Sequence, residues 1–197
     1  MEWFEKGGVF MWPLLAESVA ALYFIFERAV YFMFSLPAYR KKLIATCESD
    51  AVGGKEDVSH ASDPLVRELV SAREERSLNL ESVDIAIEEH MRGPQHGLTG
   101  INIIAQTAPL LGLLGTITGL IRAFIEIQNL QGQVNPSDLA GGIWEALITT
   151  AAGLTIAIPC VIAYLHYTRQ ISKHETWLAR AVTHVEKIFR RKGWEVI

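Results

Sequence analysis

The chain has 197 residues, of which 50% are hydrophobic and 20% are charged, and its formal net charge at pH 7 is −4. Its mean hydropathy of +0.21 is high for a soluble domain and indicates a mixture of membrane and cytoplasmic segments. An acidic chain with no basic patch interleaved with aromatic residues does not fit a nucleic-acid-binding protein.

The first apolar stretch predicts a membrane helix over residues 9–34. This stretch exceeds the roughly 20 apolar residues that cross the hydrocarbon core of a bilayer. Glu17 interrupts it, and the adjacent Glu27 and Arg28 stand near its end. A charged side chain inside a membrane span is costly, so Glu17 is a candidate for a specific interaction.

The segment after the first membrane helix is polar, and we expect it to be largely helical. Asp63 followed by Pro64 is typical of a helix start, because aspartate caps the helix and proline fits its first turn. Further along, apolar residues recur with the spacing of one helix face: Leu80, Val83, Ile87 and Met91. Residues 35–100 are therefore predicted to form helices outside the membrane.

A second membrane helix is predicted over residues 102–127. Small and polar residues recur along one side of it at spacings of three and four: Pro109, Gly112, Thr116, Gly119 and Ala123. Such a stripe either packs closely against another helix or lines a narrow polar path. Taken alone, the stripe favours close packing.

A third membrane helix is predicted over residues 139–167, and it contains Glu145. This is the only formally charged residue between Asp138 and Arg169. A carboxylate in a membrane span costs about 2.5–3.5 kcal/mol, so such residues usually have a function. At about 100° per residue, Glu145 shares a small and polar helix face with Thr149. Together with the stripe on the second helix, this face favours a polar path.

Arg122 is the one basic residue of the second membrane helix. Glu126 follows it by one turn, which predicts a pair within the helix near the outer interface. The alternative is a pair between Arg122 and Glu17, which would tie the first membrane helix to the second. Both pairings remain open at the level of sequence.

The distribution of positive charge predicts the orientation of the chain. Lys and Arg are concentrated in residues 35–100 and 168–197, whereas the connection Gln128–Ser137 has none. The positive-inside rule places these two segments in the cytoplasm, and the N-terminus and the connection in the periplasm. We therefore predict, over residues 1–197, a single-domain all-α membrane protein whose three transmembrane helices are extended by long cytoplasmic helices.

Two long motifs resemble the MotA/TolQ/ExbB proton channel family. Residues 108–116 read APLLGLLGT and, with Thr118 and Gly119, resemble the second membrane helix of that family. Residues 141–154 read GGIWEALITTAAGL and resemble its third helix, while residues 11–15 resemble the start of its first. The pattern is most similar to the ExbB type, with TolQ next.

This resemblance implies a homo-oligomer, a pentamer in the bacterial inner membrane, with a central pore. The pore would hold the single membrane helices of an ExbD-like dimer, and proton flow would drive motion that a TonB-like protein passes to outer-membrane transporters. By motif position, Glu145 is the pore carboxylate, and Thr116 and Thr150 are the pore threonines. Thr149 joins them because it shares the helix face of Glu145.

Two other functions stay open beside an ExbB-like proton-channel subunit. One is a TolQ-like subunit of an envelope motor, and the other is a non-conducting membrane scaffold. We expect no enzyme activity, cofactor or metal, because the six histidines form no zinc-like cluster and no nucleophile–base pair or phosphate-binding loop is present.

Overall fold

The computed structural model describes residues 8–48, 63–129 and 136–197. Helices form nearly all of this part, and one short strand pair accompanies them. In chain order the elements are α1 (Met11–Val30), a π-helical turn (Tyr31–Ser35), α2 (Leu36–Glu48), α3 (Pro64–Glu75), β1 (Ser77–Leu78), α4 (Leu80–Asn129), α5 (Pro136–Lys192) and β2 (Glu195–Val196).

Three helical stretches within the described residues are long and apolar enough to cross a bilayer: Met11–Lys41, Leu80–Gln128 and Ala140–Lys192. This confirms the prediction of an all-α membrane protein with three helices able to span the membrane. The spans 9–34, 102–127 and 139–167 remain predictions, because the helices extend well beyond them. Residues 130–135, in the predicted outer connection, lie outside the described residues.

The described chain divides into two units. The first unit falls within Met1–Glu27 and Leu98–His166, and the second falls within Arg28–Gly97 and Tyr167–Ile197. Each unit therefore contains a part of α4 and a part of α5. The first holds most of the residues predicted to lie in the membrane, and the second holds most of the residues predicted to be cytoplasmic together with residues 28–34 of the first predicted membrane helix.

In the first unit, α4 and α5 approach so closely that small residues are required between them. A Cβ atom added to Gly153 would lie 2.5 Å from the carbonyl oxygen of Ala108, and one added to Gly142 would lie 2.6 Å from the Cβ of Ala123. We call this contact the small-residue seam, and it consists of Ala108, Gly112, Gly115, Gly119 and Ala123 on α4 and Gly142, Ala146, Thr149 and Gly153 on α5. The glycine stripe of the second membrane helix thus packs against the third helix of the same chain.

In the second unit, Asp63 caps the start of α3. Its Oδ1 atom accepts hydrogen bonds from the backbone N–H groups of Leu65 at 3.0 Å and Val66 at 3.2 Å, and Pro64 is the first helical residue. The helix start predicted from the sequence is therefore confirmed. Leu65 and Val66 are buried directly after the cap, so the capped turn also anchors α3 in the core of this unit.

Two features of the second unit were not predicted. Strands β1 and β2 pair in parallel, with Ser77 opposite Glu195, so the end of the chain adds a two-residue strand pair to the all-α prediction. The other feature is Arg28, which is buried and donates hydrogen bonds to the carbonyl oxygens of Gly93 at 3.1 Å and Pro94 at 3.0 Å. Arg28 thereby joins the end of α1 to α4.

Candidate functional site

Glu145 lies on α5 and forms an ion pair with α4. Its Oε1 atom accepts a hydrogen bond from Arg122 Nη1 at 3.1 Å. The Glu145 side chain is 26% exposed and the Arg122 side chain is 53% exposed. The predicted pore carboxylate is therefore half-buried and held against a guanidinium group from the neighbouring helix.

Gly8, which precedes α1, encloses the same carboxyl group from another side. A Cβ atom built on Gly8 would overlap Glu145 Oε1, and the backbone of Gly8 has a φ of +66°. Both facts require glycine, since other residues rarely adopt this backbone conformation. The backbone before the first membrane helix is thus in contact with the carboxyl group of the third.

The structure corrects both pairings that the sequence suggested for Arg122. Its partner is Glu145, whereas Glu17 Oε1 lies 2.7 Å from the hydroxyl oxygen of Thr107. Thr107 and Arg122 are separated by about 22 Å along α4, at 1.5 Å per residue, so Arg122 is beyond the reach of Glu17. Glu126 is exposed, and Arg122 turns toward α5 because the small-residue seam brings the two helices together there.

Thr149 and Thr150 both face α4 in the same chain. The Thr149 hydroxyl is buried beside Gly115 and donates to the carbonyl oxygen of Ala146 at 2.8 Å. The Thr150 hydroxyl donates across the seam to the carbonyl oxygen of Gly112 at 3.1 Å. Thr150 and Glu145 therefore both border the interface of α5 with α4.

Thr116 lies on α4 and bonds within its own helix. Its hydroxyl donates to the carbonyl oxygen of Leu113 at 2.6 Å, and the residue is partly exposed. A hydroxyl that donates its proton keeps its lone pairs as acceptors. Thr116 therefore still offers an acceptor, although no contact in the described part of the chain joins it to Glu145.

Comparison with known proteins decides the family. The model of the MotA/TolQ/ExbB proton channel family matches residues 58–179, which is more than half of the chain. The chain belongs to this family. One relative is the putative biopolymer transport protein ExbB-like 1 of Synechocystis sp., which is 34% identical over 98% of this chain and 80% of its own length.

Two further relatives carry the ExbB name. The biopolymer transport protein exbB1 of Vibrio cholerae is 32% identical over 80% of this chain and 74% of its own length. The biopolymer transport protein ExbB of Neisseria gonorrhoeae is 47% identical over 74 residues, which are 38% of this chain and 33% of its own length. The chain is thus a member of a family of membrane proton channels that act in transport, and this is not an enzyme family.

In a proton channel, a carboxyl group such as that of Glu145 can bind and release a proton. The Arg122 guanidinium group and the Glu145 carboxylate lie 3.1 Å apart, and opposite charges at this distance attract strongly where water is scarce. The pair therefore joins α4 and α5 at the predicted pore carboxylate.

A second group of titratable side chains lies in the second unit, outside the predicted membrane spans. His90 contacts Asp63 through Nδ1 at 2.6 Å and His174 through Nε2 at 3.1 Å. Tyr39 stacks on His90, and Trp177 stacks on His174. Sequence reasoning missed this cluster because the histidines are 84 residues apart and meet only through packing of α4 and α5.

The two ends of this cluster have shifted pKa values. Burial is the main cause that lowers the pKa of His174 to about 4, and nearby charge on His90 and Arg40 acts in the same direction. For Asp63, burial raises the pKa, but hydrogen bonding and charge from His90 outweigh it, so the pKa lies below its usual value. Among the described residues, no three His, Cys, Asp or Glu side chains come together as metal ligands would.

Proposed function

We propose that the chain is an ExbB-like subunit of a proton-driven motor in the bacterial inner membrane. With an ExbD-like single-span partner, it uses the proton motive force to energise TonB-dependent transport across the outer membrane. The observation that carries this proposal is the half-buried Glu145, which faces Arg122 and Gly8 inside the part of the chain predicted to span the membrane. The ExbB names of the relatives support it.

Proton flow would act on the position of helices through the charge of Glu145. Each proton that crosses 100 mV releases about 2.3 kcal/mol, and this energy is available when Glu145 takes a proton from one side and gives it to the other. The small-residue seam leaves no room for larger side chains between α4 and α5. These two helices would therefore move as one body when the charge state of Glu145 changes.

A homo-oligomer, which we propose to be a pentamer, would surround the partner's helices. Large apolar side chains remain exposed on the membrane helices, among them Leu147, Leu154, Ile158, Val161 and Leu165 of α5. Exposed apolar surface of this kind requires lipid or another chain as a neighbour. We propose that lipid and copies of this chain share that surface, and that the N-terminus is periplasmic while the C-terminus is cytoplasmic.

The two alternatives make different demands on the same residues. A scaffold built on the glycine stripe would need those glycines at the contact between subunits, whereas they contact α5 of their own chain. A TolQ-like role uses the same proton chemistry and differs in the partners and in the process that is energised. Copurification of the single-span partner and its identification by mass spectrometry separate the two systems.

The test of the proposed function is the substitution Glu145→Gln, which keeps the shape of the side chain and removes its ionisation. We expect energised uptake and proton flux to be abolished while the oligomer keeps its mass. The matched control is Glu126→Gln, which changes an exposed acid on α4 and should leave flux unchanged. Full uptake in the Glu145→Gln variant would contradict the proposed function.

A further inference from the structure

Glu17 lies inside the first membrane helix, apart from the Arg122–Glu145 pair. Its Oε1 atom is 2.7 Å from the hydroxyl oxygen of Thr107 on α4. Its Oε2 atom is buried and has no hydrogen-bond partner among the described residues. One oxygen of this carboxyl group thus has a single hydroxyl as neighbour, and the other has no donor within the described part of the chain.

The Thr107 hydroxyl has two oxygen neighbours but only one proton to share. Besides Glu17 Oε1, the carbonyl oxygen of Ile103 lies 3.0 Å from it. A carbonyl oxygen can only accept, so a hydroxyl that donates to Ile103 must accept from Glu17. Two full hydrogen bonds form at once when Glu17 is a neutral carboxylic acid that donates to Thr107, whereas beside an ionised Glu17 the hydroxyl must share its one proton between two acceptors.

The charges around Glu17 also favour the neutral acid. Arg122 is the only Lys or Arg in the described part of the first unit. It pairs with Glu145, and along the axis of α4 it lies about 22 Å from Thr107. On α5, the buried thiol of Cys160 lies within electrostatic reach of Glu17, and a thiol is never positive. Among the described residues, an ionised Glu17 would therefore be a half-buried charge with no basic side chain beside it, which is unfavourable.

We propose that Glu17 is a second proton-binding site of the channel, a carboxylic acid that is neutral at rest and passes its proton on during proton flow. The part of this inference that concerns flow rests on the proposed function. In the predicted orientation, Thr107 lies on the cytoplasmic side of Arg122 along α4, so Glu17 would act after Glu145 on the inward path.

The proton step at Glu17 needs only water as a co-reactant. The O–H bond of the neutral acid breaks when its proton passes to a water molecule on the cytoplasmic side. The bond forms again when a proton arrives through water from the side of Glu145. One proton enters and one leaves, and the carboxyl group returns to its neutral form with its hydrogen bond to Thr107.

Infrared spectroscopy at pH 7 tests the protonation state independently of transport. The complex purified with its single-span partner should show the carbonyl stretch of a protonated carboxyl group, and Glu17→Gln should remove that band. Glu126→Gln is the control and should leave the band in place. A spectrum that is identical in this region for the wild type and Glu17→Gln would overturn the inference.

Thr107 provides a second test of the same band. Thr107→Val keeps the size of the side chain but removes the hydroxyl, so the carbonyl band should shift as the acid loses its hydrogen bond. Thr107→Ser keeps the hydroxyl and should leave the band close to its wild-type position. A band that responds equally to both substitutions would contradict the geometry on which the inference depends.

Proton flux in liposomes that contain the complex tests the participation of Glu17. Glu17→Gln should lower the flux on the order of 100-fold, which is the usual effect of removing a group that transfers protons. An unchanged flux would overturn the role of Glu17 in proton flow. The proposed function fails separately, if Glu145→Gln conducts as the wild type does, and the infrared test of Glu17 keeps its meaning in that case.

Discussion

Arg122 Nη1 lies 3.1 Å from Glu145 Oε1, and the two residues come from different membrane helices. Each charge alone would be costly inside an apolar span, and the pair reduces that cost for both. Because the small-residue seam fixes the distance between α4 and α5, the pair forms without distortion of either helix. Arg122 is therefore the positively charged partner of the Glu145 carboxylate.

Arg122→Gln should slow proton release from Glu145. The ionised carboxylate would lose a charge-assisted hydrogen bond, which contributes about 1.5–3 kcal/mol, so flux should fall by at least about tenfold. Measurement of proton flux in liposomes checks this prediction.

The control for this experiment is Arg122→Lys, which keeps the positive charge. Its flux should lie between those of the wild type and Arg122→Gln, because lysine cannot reproduce the fork of donors of arginine. In the background of Glu145→Gln, removal of the Arg122 charge should have no further effect. A proton flux of Arg122→Gln equal to that of the wild type would refute the role of the ion pair.

Gly8→Ala should disturb Glu145 from the opposite side. The new Cβ would overlap the carboxyl group, and the left-handed backbone disfavours alanine by about 1–2 kcal/mol. Gly193→Ala is a matched control, because Gly193 has a similar φ of +71° and nothing within 4 Å of the added atom. Both variants should lose stability in thermal unfolding, but only Gly8→Ala should also lose proton flux.

The sequence predicted the elements of this protein better than its contacts. The three apolar runs and the Asp63 cap can each be recognised within a short stretch of sequence. The helices α1, α3, α4 and α5 could therefore be predicted. The partner of Arg122 could not, because Glu126 and Glu17 satisfied spacing or charge equally well. The close approach of α4 and α5 makes Glu145 the partner of Arg122. That approach depends on glycines of the small-residue seam, and the sequence alone does not show which helix they pack against.

Close packing along the small-residue seam predicts a strong effect of Gly153→Ala. The added Cβ would lie 2.5 Å from the carbonyl oxygen of Ala108, and a backbone atom cannot move aside as a side chain can. Overpacking of this kind typically costs about 1–3 kcal/mol. We expect a lower midpoint of thermal unfolding and weaker assembly in detergent solution.

Gly141→Ala is the matched control on the same helix. Nothing lies within 4 Å of a Cβ added there, and alanine stabilises a helix by up to about 1 kcal/mol relative to glycine. Its unfolding midpoint should be equal to or above that of the wild type. Equal destabilisation by Gly141→Ala and Gly153→Ala would show that close packing in the small-residue seam is not the reason why position 153 requires glycine.

The buried histidine of the second unit predicts that stability falls as the solution becomes acidic. The pKa of His174 is lowered from 6.5 to about 4 in the folded chain, so between these values the unfolded chain binds more protons than the folded one. The contribution of His174 is therefore complete above pH 6.5 and is lost as the pH falls toward 4. The shift corresponds to about 3 kcal/mol at most.

Thermal unfolding of the purified protein between pH 7.5 and pH 5 measures this effect, and His174→Gln should make the midpoint depend less on pH. His184→Gln, which changes an exposed histidine on the same helix, should keep the wild-type dependence. Asp63 does not account for a loss in this range, because its lowered pKa places its contribution above pH 3.8 and its loss below that value. If His174→Gln and the wild type lose stability in parallel, the cluster of Asp63, His90 and His174 is not the group that responds to acid.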